Sequence, residues 1–348
     1  MLDVYRDRYH FKREPFRLSP DHQFAIAHPS YANAWAYLKY GIVQGEGFVA
    51  IIGAAGTGKT TLINQLLAEL DTRRVVAARL GAAQLDADNL LRLVCDAFGL
   101  QLDAGGERSP LQALEQFLRQ QHQSGRNVVL IMDEAQGLPP SSLEALRLLS
   151  NIQSGERLLL QVFLVGQEPL LEMIRAPGME HLHQRLVAAA HLEPLDLDQT
   201  VDYVEHRLCQ VGWTGDPAIS EAALRLVHEH SGGVPRRINL ICHRLFLSAG
   251  LQGKHAFGGD DARRVVEELR KEALLGTEAP GSDSADDAAG RPENAETPLR
   301  CLPRPGSFPR PEEPQHGNSP PDPHKESNAP SAVRLGRVQL QEPTAPVQ

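Results

Sequence analysis

Eight residues constrain this 348-residue chain more than any others: GAAGTGKT, from Gly53 to Thr60. They follow the apolar run FVAII (48–52) and open the helical stretch KTTLINQLLAEL (59–70). The GxxxxGK[ST] spacing carries a mechanism when a strand precedes it and a helix follows. Gly53, Gly56 and Gly58 let the backbone turn tightly, so that successive N–H groups point at a phosphate, and the helix adds its positive N-terminal end. The candidate cradle runs over Gly53, Ala54, Ala55, Gly56, Thr57, Gly58, Lys59, Thr60 and Thr61. The Lys59 ammonium reaches the β- and γ-phosphates, and the Thr60 hydroxyl is placed to ligate Mg2+.

Such a turn belongs at the end of a strand in a parallel sheet, and the rest of the pattern supplies one. Continuous apolar runs at 48–52, 75–80, 128–132 and 158–165 read as strands covered on both faces. Helical stretches at 30–43, 59–70, 86–98, 110–123 and 141–151 alternate with them, the signature of an α/β fold with helices on both sides of the sheet. From about residue 197 the strands stop. Four helical segments follow, at 197–211, 218–231, 235–250 and 259–273, separated by Gly and Pro signals such as SGGVP. The expected organisation is an α/β nucleotide-binding domain over 1–196 with a leader at 1–30, a small all-α lid domain over 197–275, and a tail over 276–348.

Fourteen of the 25 prolines lie between Pro280 and Pro346. That tail has almost no aromatic or branched apolar residues to bury against its chain entropy, so it is expected to be disordered. Its one apolar alternation, VRLGRVQL (333–340), reads either as a docking peptide or as a chance fluctuation. From Gly276 onward 11 acids meet 7 bases, a net −4 of the chain's −9, which leaves −5 for the first 275 residues. That balance argues against a surface coated in basic residues for phosphate backbones, while leaving room for a local patch. Cys95, Cys209, Cys242 and Cys301 are scattered without a CxxC pair, so neither a disulfide framework nor a zinc site is expected. No run approaches the ~18 apolar residues of a membrane span, and the N-terminus is charged from its third residue, unlike a signal peptide. A soluble, cytoplasmic protein is expected.

The run VVLIMDEAQ (128–136) is an apolar strand that ends in two acids. The carboxyl end of such a strand opens beside the phosphate loop. Asp133 is then placed to hold the Mg2+ shell, and Glu134 to orient or deprotonate an attacking water; the plainer alternative is a pair of acids capping the next helix. The strand LLLQVFLVG ends at Gly166-Gln167, which makes Gln167 either a contact to the γ-phosphate or water, or a turn residue. Arg185, in the helical-looking segment 181–195, is a candidate finger for a neighbouring subunit's nucleotide or an ordinary surface arginine. In the lid, GGVPRRIN puts Arg236 and Arg237 at a helix start, and Arg236 is the favoured residue to lean back over the γ-phosphate.

Taken together, these residues resemble an AAA+ ATPase of the branch related to the origin-recognition ATPases. More narrowly the chain is similar to the ExeA/GspA-like secretion ATPases, and most of all to the ATPases associated with exosortase (XrtA, PEP-CTERM) exopolysaccharide systems. The resemblance runs from PFRLSPDHQF (15–24) through AYLKYGIVQGEGFVAIIGAAGTGKTTL (36–62), QLDADNLLRLVCDAFGL (84–100), VVLIMDEAQGLP (128–139), FLVGQEPL (163–170), LHQRL (182–186) and VEHRLCQVGWTGDP (204–217) to GGVPRRIN (232–239). It implies ATP with Mg2+, a homo-oligomer joined through nucleotide sites, and Gln167, Arg185 and Arg236 as sensor 1, arginine finger and sensor 2. It also implies hydrolysis that powers or switches a membrane-embedded export machine, with the protein cytoplasmic or peripheral to the inner membrane. The leader departs from the family in reading YHFKREPF, and the transmembrane helix and peptidoglycan-binding domain that follow the ATPase in ExeA-type proteins have no counterpart here. A different reading is a DNA-associated adaptor of the transposition type, with Arg73-Arg74, Arg236-Arg237 and Arg263-Arg264 as basic patches. A third is a scaffold switched by ATP binding alone.

Overall fold

The computed structural model describes residues 4–275, apart from 46, 82–85 and 103–108; the expectations for the tail and for Cys301 lie outside the described residues. In chain order the elements of the first part are α1 Val4–Arg8, α2 Pro29–Gln44, β1 Gly47–Gly53, α3 Lys59–Glu69, β2 Val75–Gly81, α4 Ala87–Ala97, α5 Pro110–Gln123, β3 Asn127–Asp133 and α6 Pro140–Ser150. A two-residue hairpin, β4 Gln153–Ser154 with β5 Arg157–Leu158, leads to β6 Leu160–Gly166, α7 Glu168–Arg175, α8 Glu180–His183 and β7 Leu186–Leu192. Five strands form one parallel sheet in the order β2-β3-β6-β1-β7.

Side chains alternate across a strand, so each buried strand feeds two cores. Phe48, Ala50, Ile52, Val128, Leu130 and Met132 face one layer, packed with residues of α4, α5, α6 and α7. Val49, Ile51, Val129, Ile131, Phe163 and Val165 face the other, with α2 and α3. The α/β fold expected from the sequence is the one observed. The segment 181–195 is a correction: only Glu180–His183 is helical, and Leu186–Leu192 is the edge strand. Its alanines favour a helix, but pairing along β1 decides the outcome, and Val187, Ala189 and His191 stay exposed on the uncovered side.

The helical part comprises α9 Leu197–Gln210, α10 Glu221–Ser231, α11 Pro235–Gln252 and α12 Gly259–Lys271. Strands do not stop altogether, since β8 Ala218–Ile219 pairs with β9 Ala256–Phe257 and delays the helix expected at 218 until Glu221, capped by Ser220. The leader buries Tyr5, Tyr9, Phe11, Phe16 and Phe24 in this helical core. Its rings gather on Phe246, with Phe16 at 5.3 Å and Phe11 at 5.9 Å. Arg207, 5 % exposed, donates to the Pro15 carbonyl at 2.7 Å and lies 4.8 Å over the Phe24 ring. Cys95 and Cys242 are buried free thiols, pushed by burial up to about 11 and about 12. No helix among the described residues is long and apolar enough to cross a membrane.

Candidate functional site

The parallel register lines up the strand ends. Gly81 pairs with Asp133, Asp133 with Val165, Ile52 with Gly166, and Gly53 with Leu192. With adjacent strands about 4.8 Å apart, the loop after β1 starts about 10 Å from Asp133 across β6. The carboxyl edge of the sheet therefore brings together the phosphate-loop candidates, Asp133, Glu134 and Gln167.

Gly56 and Gly58 have φ of +88° and +107°, the left-handed region that side chains avoid. A Cβ on Gly58 would meet nothing within 4 Å, so the constraint there is the backbone angle. Gly53 differs: it closes β1, and a Cβ there would stand 2.7 Å from the Leu192 carbonyl oxygen. Thr57 is 1 % exposed and pins the turn by donating its hydroxyl to the Ala54 carbonyl at 3.0 Å. Ala54 and Ala55 lie exposed at the tip, and Thr60 and Thr61 are half-buried in the first turn of α3. Lys59 is buried, and its ammonium donates to the carbonyls of Gly53 and Ala54 at 2.8 and 2.9 Å. Burial pulls its pKa down, and the charges of Glu134 and then Asp133 oppose that. A loop that already gathers an ammonium and the free N–H groups of a helix start is shaped for an anion.

The two acids after β3 are neighbours in unlike settings. Asp133 is 6 % exposed, and its Oδ1 accepts the backbone N–H of Glu134 at 3.0 Å. Its Oδ2 accepts from Arg79 of β2, whose other arm donates to Asn64 of α3 at 2.8 Å. Glu134 is exposed and has φ +55°, a strained conformation for a non-glycine residue that only its surroundings maintain. Its Oε2 accepts from Gln136 at 2.6 Å and from Gln167 at 3.4 Å, while the Gln136 side-chain Oε1 takes the Gln167 backbone N–H at 3.0 Å. Sequence reasoning missed Arg79, Asn64 and Gln136. The signals were present: a charge inside the apolar run VVAARLG (75–81), and an amide two residues beyond Glu134.

Of the two arginines at the start of α11, Arg236 meets the loop. Its backbone N–H donates to the Gly56 carbonyl at 3.2 Å, and a Cβ on Gly56 would lie 2.8 Å from the Arg236 Cβ. Arg185 lies at the other edge of the sheet: its carbonyl accepts from the Phe48 N–H at the start of β1 at 2.9 Å, and its Nη1 donates to Ser150 at 3.3 Å. The strand from Phe48 to Gly53 separates it from the loop of its own chain, about 17 Å at 3.3 Å per residue.

Thr60 and Asp133 offer a hydroxyl and a carboxylate, the hard oxygen donors Mg2+ takes while keeping most of its waters. Among the described residues no group of three or more His, Cys, Asp or Glu could hold a metal ion. The donor set thus fits an ion that arrives with phosphates rather than one held in a protein cage.

A family profile described as an AAA domain matches residues 42–174. The chain is 38 % identical to general secretion pathway protein A of Aeromonas hydrophila over 253 residues, 72 % of this chain and 46 % of that protein. It therefore spans about half the length of that curated relative. Among solved structures, Cdc6p of Pyrobaculum aerophilum aligns with a TM-score of 0.59 at 17 % identity, over 76 % of this chain and 75 % of that one. The ORC2 protein of Aeropyrum pernix, solved as ADPNP–ADP complexes, aligns with a TM-score of 0.53 at 20 % identity, over 69 % and 66 %. Identities this low show a shared fold. Sheet order, loop and neighbours agree that the architecture is the AAA fold of the P-loop nucleoside triphosphatases.

Proposed function

We propose that this chain binds ATP with Mg2+ and hydrolyses it to power or switch assembly of an envelope secretion or exopolysaccharide export system. The observation that carries the reading is the meeting of the Lys59 loop, Asp133 and Glu134 at one sheet edge, with Arg236 resting on the loop. The loop N–H groups and Lys59 hold the β- and γ-phosphates and neutralise the charge that develops on them. Thr60 and Asp133 would hold Mg2+ on the protein side, and the ion would supply further neutralisation of the phosphate charge. Glu134 orients the attacking water, Gln167 and Gln136 hold the Glu134 carboxylate in place, and Arg236 couples the helical part to the γ-phosphate. Arg185 is too far from its own loop to take part there, so it serves the site of a neighbouring copy in a homo-oligomer.

The likeness to general secretion pathway protein A supports the export role, and with that role goes a position on the cytoplasmic side of the inner membrane. Of the six arginines in the basic pairs that would favour a nucleic-acid partner, three face carboxylates: Arg263 with Asp260 at 2.8 Å, Arg264 with Asp261 at 3.7 Å and Arg74 with Asp71 at 3.9 Å. The test compares Lys59→Ala with Glu134→Gln in nucleotide-binding and phosphate-release assays. Lys59→Ala is expected to lose ATP binding. Glu134→Gln is expected to retain it while turnover falls by about 100-fold or more, the scale of a lost general base. Wild-type turnover in Glu134→Gln overturns the assignment. Full export in cells carrying a non-hydrolysing Glu134→Gln replaces the engine by a binding switch.

A further inference from the structure

A charged side chain within a covered strand has to be paired. Arg79 is the fifth residue of β2, and its guanidinium bridges two other elements. Nη1 donates to Oδ1 of Asn64 at 2.8 Å, and Nη2 donates to Oδ2 of Asp133. Asn64 stands one helical turn beyond Thr60 on α3, so both belong to the same side of that helix. The second Asp133 oxygen is taken by the Glu134 N–H at 3.0 Å. Both oxygens of a carboxylate whose side chain is 8 % exposed are therefore engaged within the chain, one of them by a cation that cannot deprotonate.

We propose that Arg79 is a positioning residue that competes with Mg2+ for Asp133, and so sets the magnesium concentration at which nucleotide is held in the Mg2+-bound form. This rests on the reading of Thr60 and Asp133 as the protein-side partners of the ion. Two effects run in the same direction. A fixed positive charge beside the carboxylate repels a divalent cation, and the ion pair stabilises only the form in which Asp133 is free to face Arg79. Removing the guanidinium deletes the repulsion and leaves a nearly buried carboxylate unpaired until a cation arrives. Asn64 keeps the guanidinium anchored to α3, so Arg79 yields Asp133 without leaving the site.

The test measures ATP affinity of the full chain by calorimetry, in EDTA and across a magnesium series, so that turnover is not the readout. In Arg79→Gln the magnesium midpoint is expected to fall by at least about tenfold, the size a like charge a few ångströms from a divalent ion produces even when water screens it. Arg79→Lys, which keeps the charge, should stay near wild type. If Arg79→Gln does not fold, Arg79→Met keeps the aliphatic stem within the sheet and takes its place. On an Asp133→Asn background the residue at position 79 should no longer move the midpoint, since the competition has lost its object. A midpoint that is unchanged or raised in the neutral variants overturns the proposal while the phosphate-loop reading stands. Absence of nucleotide binding by the wild type, with or without Mg2+, overturns that reading and the proposal with it.

Discussion

In the sheet part, apolar side chains alternate along strands and are covered by helices from both sides; in the helical part, aromatic rings from the first 24 residues close a core around Phe246. The strands of the first part find each other through register. The second part is closed by contacts between distant stretches of chain, such as the Tyr5 hydroxyl on His243, 238 residues away. Each part has its own core, and the phosphate loop sits where they touch. Two backbone hydrogen bonds mark the place: the Arg236 N–H donates to the Gly56 carbonyl, and the Leu195 N–H donates to the Gly233 carbonyl at 2.9 Å. Shifting such a joint costs less than deforming either core, which is how a helical part can follow the state of a loop built on a rigid sheet.

The largest expected loss of stability comes from forcing that joint open. Gly233 has φ +69°, and a Cβ there would stand 1.9 Å from the Leu195 carbonyl oxygen. Gly233→Ala must therefore displace backbone, and should lower unfolding free energy by about 3 kcal/mol or more in denaturant titration. Gly232 is the control, because its φ is +60° but a Cβ there meets nothing within 4 Å. Gly232→Ala should cost about 1 kcal/mol, the conformational term alone. Equal losses in the two variants would show that the close approach to Leu195 contributes nothing.

This difference between the parts also explains what the sequence made legible. The β1–loop–α3 unit and the acids after β3 could be read because each is local: the residues that carry the chemistry sit within a few positions of the strand that aims them. The covered faces follow from the same runs, whereas the order of the strands in the sheet does not. Other features depended on distant partners. The edge strand β7 looked helical because alanines at Ala188, Ala189 and Ala190 say little until β1 offers them hydrogen bonds. Arg79 looked like an interruption of an apolar run, and only the pairing of β2 with β3 brings it to Asp133. The leader read as an appendage of the nucleotide-binding part, although its rings complete the core of helices some 200 residues later.

Each part supplies one of the two arginines proposed to act on nucleotide. Arg236 lies on the loop of its own chain, whereas Arg185 is held at the far edge of the sheet by Ser150. Arg185→Ala should leave ATP affinity unchanged and cut turnover by about 1000-fold, the lower range for a lost arginine finger. Mixing Arg185→Ala subunits with Lys59→Ala subunits should restore part of the activity, because one supplies the loop and the other the finger. Turnover that survives the substitution, or a specific activity independent of protein concentration in the wild type, removes the inter-subunit role.

The smallest effect is a pH dependence at the same joint. His28 precedes α2, is 8 % exposed, and shares its Nδ1 with the Ser30 hydroxyl at 3.1 Å. That hydroxyl accepts the Glu193 N–H at 3.2 Å, which ties the leader to the connection between β7 and α9. Burial lowers the His28 pKa to about 4, against the opposing charge of Asp196. The unfolded chain, with a histidine near 6.5, then binds the extra proton first. The contribution of a neutral His28 is complete above pH 6.5 and is lost as pH falls toward 4. Between pH 7 and pH 5 this amounts to about 2 kcal/mol of unfolding free energy. His206 and His243 are lowered by burial in the same sense and remain in the variant, so His28→Gln should flatten the pH profile by that amount rather than abolish it. A profile as steep in His28→Gln as in the wild type would mean that the leader's tie to the joint does not depend on a neutral imidazole.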